Sequence, residues 1–126
     1  MRAILIDPFE RTITEIDTIE PGNLDSYYAA LSRPGAPVTT FDVARYDEAD
    51  IDIYVDDEGL ITGRATAFFQ LGDLDPLAGR GVVVSTDDEG NSMPPRASLE
   101  QVRAMTRWIT PISINGKICF LREAAA

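Results

Sequence analysis

The segment GVVVSTDDEGNSM at residues 81–93 determines the fold class that the sequence predicts. Its three consecutive valines, Val82–Val84, indicate a strand that is buried on both faces, since a half-exposed strand alternates apolar and polar residues. The Asp-Asp-Glu-Gly at 87–90 predicts a sharp turn, because Asp and Gly favour turn conformations. We therefore expect this segment to be the central strand of a sheet, followed directly by a turn.

A helix is predicted shortly after this strand. Ser98 can accept a hydrogen bond at the helix start, and Gln101 three residues later completes a capping box. Thr110-Pro111 is expected to end the helix, because proline disfavours helical conformation in the residue before it. The apolar face recurs at helical spacing and consists of Leu99, Val102, Met105, Trp108 and Ile109.

The first 80 residues predict strands more often than helices. Strands are expected at 3–6, 12–16, 38–43 and 50–55. One short helix is expected from an Asn23 cap to about Ser32, since apolar residues recur there at helical spacing. The apolar segment 65–71 fits a strand or a short helical piece, and 72–80 fits a loop.

The C-terminal segment contains Asn115-Gly116 between two apolar runs, which is a strong hairpin pattern. We expect a single domain over residues 1–110, followed by a hairpin or arm at 111–126 with a frayed end. The predicted class is α+β, with a mostly antiparallel sheet of about five to seven strands and about two helices packed on one face.

The net charge of −10 is concentrated in the first half of the chain. Residues 1–63 hold 14 acids and 4 bases, whereas 64–126 hold 7 of each. This distribution argues against direct binding to nucleic acid or to an anionic membrane, and it favours a basic partner. A single cysteine, no apolar run of membrane-spanning length and no signal-peptide pattern predict a cytoplasmic protein.

The sequence lacks the common catalytic patterns. With no histidine, a Ser-His-Asp triad or a His-containing metal site cannot form. Neither standard phosphate-binding glycine loop occurs, and Cys119 within ICFL resembles a buried apolar residue. The repeated Asp-Asp-Glu-Gly does not have the ligand spacing of an EF-hand, so plain turns are expected. We therefore predict a protein that is not an enzyme and needs no metal or cofactor.

An unusually acidic segment follows the first helix. On a strand, alternate carboxylates would form a row spaced about 6.6–6.8 Å apart, which could imitate a phosphate backbone. A solvated edge strand, charged to prevent aggregation, explains the same pattern and stays open as an alternative. The candidate partner-binding residues are Asp42, Asp47, Glu48, Asp50, Asp52, Asp56, Asp57 and Glu58.

Three arginines, Arg64, Arg80 and Arg96, lie in or near predicted loops and define a second hypothesis. If they converged, they could bind an anionic small molecule such as a nucleotide, in a module that could be oligomeric. Pairing of each arginine with nearby acids on separate faces is the alternative.

The order of several segments resembles the DUF3846 family, a domain family of unknown function in bacteria, phages and plasmids. The resemblance covers about residues 1–110, and PLAG-R-G-VVV-x-x-DDEG is its most specific part. The matching segments are MRAILIDPFERTITEID, IDIYVDDEGL, AFFQLG, DPLAGRGVVVSTDDEGNS and SLEQVRAMTRWI. The resemblance implies no reaction and no catalytic residues, but it does imply a phage or mobile-element setting.

Charge and resemblance together lead to one expected function. We expect a non-enzymatic acidic interaction module that inhibits a host nucleic-acid-binding defence complex, of the anti-CRISPR or anti-restriction type, by mimicking DNA. Its partner would be a basic protein, and its oligomeric state is left open. A structural subunit whose exposed hairpin at Asn115-Gly116 pairs between chains is a third alternative.

Overall fold

A computed structural model of the chain describes residues 1–57 and 67–125. The helices are α1 (Leu24–Leu31) and α2 (Leu99–Met105), and a 3-10 turn spans Asp47–Ala49. The strands are β1 (Ala3–Asp7), β2 (Thr12–Ile16), β3 (Phe41–Tyr46), β4 (Ile51–Asp56), β5 (Phe68–Leu71), β6 (Leu77–Ala78), β7 (Gly81–Thr86), β8 (Ser92–Met93), β9 (Thr106–Ile114) and β10 (Lys117–Ala125).

Two antiparallel sheets organise these strands. The first sheet has six strands in the order β2-β1-β7-β4-β3, with β8 paired to the end of β7. The second has four strands in the order β10-β9-β5-β6. This arrangement confirms the predicted α+β class and the mostly antiparallel sheet, while the second sheet was not anticipated.

Strand β7 lies at the centre of the first sheet, between β1 and β4. Val82, Val83 and Val84 are each 0% exposed. Val83 belongs to the core between the two sheets, whereas Val82 and Val84 belong to the core on the other face. The run of valines therefore correctly predicted a strand that is buried on both faces.

The two helices cover opposite faces of the first sheet. Tyr27 and Leu31 of α1 pack in the same core as Val82 and Val84. Val102 of α2 packs in the other core, which also holds residues of the second sheet. The expectation that both helices lie on one face is therefore wrong, because the second sheet and α2 together occupy the face opposite α1.

Helix α2 ends at Met105, earlier than the sequence predicted. Its capping box forms as expected: Ser98 Oγ accepts from the Gln101 N–H at 3.1 Å, and Gln101 Oε1 accepts from the Ser98 N–H at 2.7 Å. Trp108 and Ile109, expected on the helix, lie in β9 and pair with Phe69 and Phe68 of β5. β-branched and aromatic residues favour strands, and pairing with β5 ends the helix.

The C-terminal hairpin forms as predicted. Ile114 of β9 pairs with Lys117 of β10 across a two-residue turn. Asn115 and Gly116 have φ of 51° and 77°, the positive values that a type I′ turn requires. Strand β9 crosses residue 110, so the hairpin is continuous with the second sheet.

Candidate functional site

The β3–β4 hairpin separates the predicted acidic residues into two groups. The 3-10 turn that joins the strands carries one group, Asp47, Glu48 and Asp50. The open end of the hairpin carries the other, Asp42, Asp56 and Asp57, since Phe41 pairs with Asp56. Six strand residues place the two ends about 17 Å apart, so the expected continuous row of carboxylates does not form. Glu58, the last candidate, lies outside the described residues.

Asp52 was expected to project into solvent, but it is 7% exposed. Its carboxylate accepts a 2.5 Å hydrogen bond from Thr86 Oγ1 and a 3.4 Å one from Arg45 Nη1. Strand β4 lies between β7 and β3 and is not an edge strand. Asp52 therefore stabilises the sheet from within and is not accessible to a partner protein.

Asp50 anchors the turn beside β4. Its backbone is left-handed, with φ of 52°, and its carbonyl accepts a 2.6 Å hydrogen bond from Ser85 Oγ. Its carboxylate accepts from both Arg45 and Arg96. The hydrogen bond from Arg45 is the main reason why the pKa of Asp50 is lowered. The bonds with Asp50 and Asp47 in turn raise the pKa of Arg45.

The second Asp-Asp-Glu-Gly turn lies at the same end of the sheet. Arg96 Nη1, which binds Asp50, also donates to the Thr86 carbonyl at 3.4 Å, where β7 ends. Asp87 Oδ1 accepts from the N–H groups of Glu89 and Asn91 and so shapes the turn. The six carboxylates at this end are here called the acidic end: Asp47, Glu48, Asp50, Asp87, Asp88 and Glu89.

Asp87, Asp88 and Glu89 were not predicted to belong to a binding surface, because Asp-Asp-Glu-Gly is also the pattern of a plain turn. Antiparallel pairing of β4 with β7 places this turn beside Asp50, and that pairing is a non-local contact. Within the described residues, the acidic end has Arg45 and Arg96 as its bonded cations. The group therefore keeps a negative excess.

A groove of about 620 Å³ adjoins the acidic end, between the 3-10 turn and α2. Tyr46 donates a 2.9 Å hydrogen bond from its hydroxyl to Glu48 Oε2, and this bond is the main reason why the pKa of Tyr46 is raised. The groove thus combines a rim that carries Glu48, Asp50 and Arg96 with a largely apolar floor. Its lining residues are Tyr46, Glu48, Ala49, Asp50, Arg96, Ala97, Gln101, Ala104 and Met105.

The open end of the β3–β4 hairpin provides a different environment. Asp42 Oδ1 accepts a 2.8 Å hydrogen bond from the Val43 N–H, and Asp57 Oδ1 accepts a 2.5 Å one from Thr40 Oγ1. Asp56 lines a cavity of about 20 Å³, which has little more room than one water molecule needs. This end therefore offers carboxylates without an adjoining groove.

The predicted arginine cluster does not form between Arg80 and Arg96. Arg80 donates to Asp7 Oδ2 at 3.2 Å and to the Ser32 carbonyl at 2.6 Å, so it connects β1 and the end of α1. Arg96 binds at the opposite end of β7, about 17 Å away by the rise of the strand. Arg64 lies outside the described residues.

The described residues contain neither a metal-binding cluster nor a membrane-spanning helix. No three His, Cys, Asp or Glu side chains lie close enough together there to hold a metal ion. No helix within residues 1–57 and 67–125 is long and apolar enough to cross a membrane.

Comparison with known proteins gives one match. The model of the family described as "Domain of unknown function (DUF3846)" matches residues 1–107. That range contains the acidic end and the groove, and it stops at the second residue of β9. No curated protein and no solved structure matches the chain.

Proposed function

Because the chain belongs to the DUF3846 family, whose function is unknown, we propose a function from its geometry: it is a non-enzymatic module that binds a basic protein through the acidic end. The observation that carries this proposal is that two acidic turns lie at the same end of the first sheet, where Glu48 and Asp50 of the acidic end line a groove of about 620 Å³. The apolar floor would contact the aliphatic stems of lysine and arginine side chains, and the carboxylates of the acidic end would bind their charged heads.

Charge excess is what distinguishes the acidic end from an ordinary ion-paired surface. Asp50 is neutralised by Arg45 and Arg96, and Asp47 shares Arg45. Asp88 and Glu89 are exposed at the tip of their turn. Exposed carboxylates of this kind attract a basic surface over a distance of about one Debye length, so binding should weaken as salt is added.

The partner we propose is a nucleic-acid-binding complex of host defence, of the CRISPR or restriction type, in the cytoplasm. The phage and plasmid setting implied by the family resemblance favours such a partner. The carboxylates would occupy sites that otherwise bind phosphate groups. Because they are clustered at one end of the sheet, they would cover a single basic patch on the partner and would not follow a long nucleic-acid groove.

Small-molecule binding is a second proposal, favoured by the size of the groove. A volume of about 620 Å³ falls within the range of ligand pockets. Among the three predicted arginines, Arg96 lines this groove, but its guanidinium already binds Asp50. A nucleotide that raises the melting temperature of the wild-type protein, but not that of Arg96→Ala, would support this proposal over the first.

The first proposal is tested with two variants of equal charge. The acidic-end variant carries Asp47→Asn, Glu48→Gln, Asp88→Asn and Glu89→Gln. The control variant carries Asp17→Asn, Asp42→Asn, Asp57→Asn and Asp75→Asn. Each removes four acids, so both change the net charge from −10 to −6. Wild-type and variant proteins are immobilised and exposed to host lysate at about 50 mM and about 500 mM salt.

The expected loss follows from Coulomb's law. Opposite unit charges about 6 Å apart attract by about 0.7 kcal/mol in water, and counter-ions at about 0.15 M salt roughly halve this. Four such pairs amount to about 1.4 kcal/mol, which is roughly a tenfold loss of affinity. The control variant should bind as the wild type does, and double-stranded DNA should displace the captured complex. Equal weakening by both variants, or none by the acidic-end variant, would contradict the proposal.

A further inference from the structure

The C-terminal hairpin extends beyond the second sheet. Strand β9 pairs with β5 over Thr106–Ile109, whereas its remaining residues pair with β10 alone among the described residues. We call residues 110–121 the arm. Of the five large apolar residues that are exposed in the described part of the chain, three lie in the arm: Ile114 at 50%, Phe120 at 41% and Leu121 at 53%. A two-stranded ribbon is marginally stable by itself, so exposed apolar residues on it point to a partner.

Among residues 1–57 and 67–125, no strand pairs with the outer edge of β10. In the second sheet, β10 pairs with β9 and with no other described strand. The two-residue turn makes Ile114 and Lys117 a hydrogen-bonded pair. From this pair onward, opposite residues of β9 and β10 alternate between non-hydrogen-bonded and hydrogen-bonded pairs. The N–H and C=O groups of Cys119 and Leu121 therefore face β9, whereas those of Phe120 point toward the open edge.

We propose that β10 pairs with β10 of a second copy of this chain, antiparallel and two-fold symmetric about Phe120. In this register residue numbers of opposite partners add to 240. Cys119 then faces Leu121 of the other copy, and the two Phe120 residues meet at the symmetry axis. Lys117 faces Glu123 at the end of the contact, where the β9–β10 register shifts between Arg122 and Ala125. The outward backbone groups of 118, 120 and 122 would form about six hydrogen bonds between the copies.

Charge supports a second copy as the occupant of this edge. Two chains of net charge −10 repel each other over most of their surface. The arm, residues 110–121, holds one basic residue, Lys117, and no acidic residue, so it is where two copies approach with least repulsion. The order Lys117…Glu123 is also self-complementary, because two-fold pairing places opposite charges across from each other at both ends of the contact.

The carboxylate of Glu123 is held in place for such a contact. It accepts 2.6 Å hydrogen bonds from both terminal nitrogens of Arg11 and a 2.9 Å one from Thr110 Oγ1. The ring of Phe120 in β10 packs edge-on against the ring of Phe68 in β5, with ring centroids 5.2 Å apart. The bonds of Glu123 order one end of the proposed pairing segment within each copy, and the Phe120–Phe68 contact orders its centre.

A disulfide test distinguishes this register from other modes of association. Cys119 and Leu121 of the other copy would be a non-hydrogen-bonded pair, with Cα atoms about 4.5 Å apart, a separation that suits a disulfide. In the Leu121→Cys variant, mild oxidation by molecular oxygen would remove two electrons and two protons from the facing thiols and link the copies covalently. The matched control Cys119→Ser/Leu121→Cys keeps the new thiol but removes its partner, so it should remain uncrosslinked.

Sedimentation equilibrium of the wild-type protein supplies the second measurement. We expect the wild-type protein to be a dimer. The Phe120→Pro variant should be a monomer, because proline removes the outward N–H of residue 120 without breaking a hydrogen bond to β9. Phe120→Ala keeps that N–H and should weaken the dimer less, and circular dichroism checks that each variant is folded. A wild-type protein that stays monomeric at about 1 mM overturns the proposal. A dimer whose Leu121→Cys variant does not crosslink overturns it too, since the copies would then associate elsewhere.

Discussion

The contact between Gly81 and Phe69 allows a sharp test of how the two sheets pack. Phe69 is 0% exposed and lies in the core between the sheets. A Cβ atom added at Gly81 would lie 2.7 Å from Phe69 Cζ and 3.0 Å from Ile53 Cγ2. Both distances are shorter than normal packing allows, so Gly81→Ala must displace the ring or the strand. Overpacking of this kind costs about 1–3 kcal/mol.

The Phe69→Ala substitution provides the second arm of a double-mutant cycle. Removal of the ring should cost about 3–5 kcal/mol, because it loses buried apolar area and leaves a cavity. A domain of this length has a free energy of unfolding of about 6–19 kcal/mol, so the variant should remain folded. In the Phe69→Ala background, the methyl group of Gly81→Ala would enter the vacated space and lose its clash with the ring.

The two substitutions should therefore be strongly non-additive. We expect Gly81→Ala to destabilise the wild type but to be nearly neutral in Phe69→Ala, a coupling of about 1–3 kcal/mol. Equilibrium unfolding in urea measures all four free energies, and unchanged m-values confirm that the comparison is two-state. Additivity within about 0.5 kcal/mol would refute the packing of Phe69 against Gly81.

Two further predictions concern the acidic end and α2. The pKa of Asp50 is lowered in the folded protein. Its ion pairs therefore contribute fully to stability above the unfolded-state pKa, which is about 3.9. This contribution is lost as the pH falls through the lower folded-state pKa. Asp50→Asn, which tolerates the left-handed backbone, should therefore show a shallower loss of stability below about pH 4 in urea titrations; an unchanged acid profile would contradict this. Ser98→Ala should lower the free energy of unfolding by about 1 kcal/mol through loss of the capping box, whereas Ser98→Thr should retain most of it.

Features that depend on neighbouring residues in the chain could be predicted from the sequence. The burial of Val82–Val84, the capping box at Ser98 and the Asn115-Gly116 turn all form as expected. Each depends on a pattern within a few residues. The family resemblance, which the family match over 1–107 confirms, also rests on short segments in a fixed order.

The end of α2 could not be predicted in this way. Val102, Met105, Trp108 and Ile109 fit a helix by spacing, yet the last two are strand residues. What decides between the two structures is the pairing of Trp108 with Phe69, 39 positions earlier in the chain. Residues 106–109 fit a helix by their spacing and a strand by their residue types. They form a strand because they pair with β5, which is distant in the chain.

The acidic surface also differs from its prediction because it depends on contacts between distant parts of the chain. Alternation along β4 correctly places Ile51, Ile53 and Val55 on one face, but it does not reveal that Thr86 and Arg45 bury Asp52 on the other. Nor does it show that the turn after β7 lies beside Asp50. A charged strand in the interior of a sheet must bond its carboxylates within the protein, so exposed acids remain only where the strands end. Any binding surface built from these acids is therefore located at the ends of the sheet and not along β4.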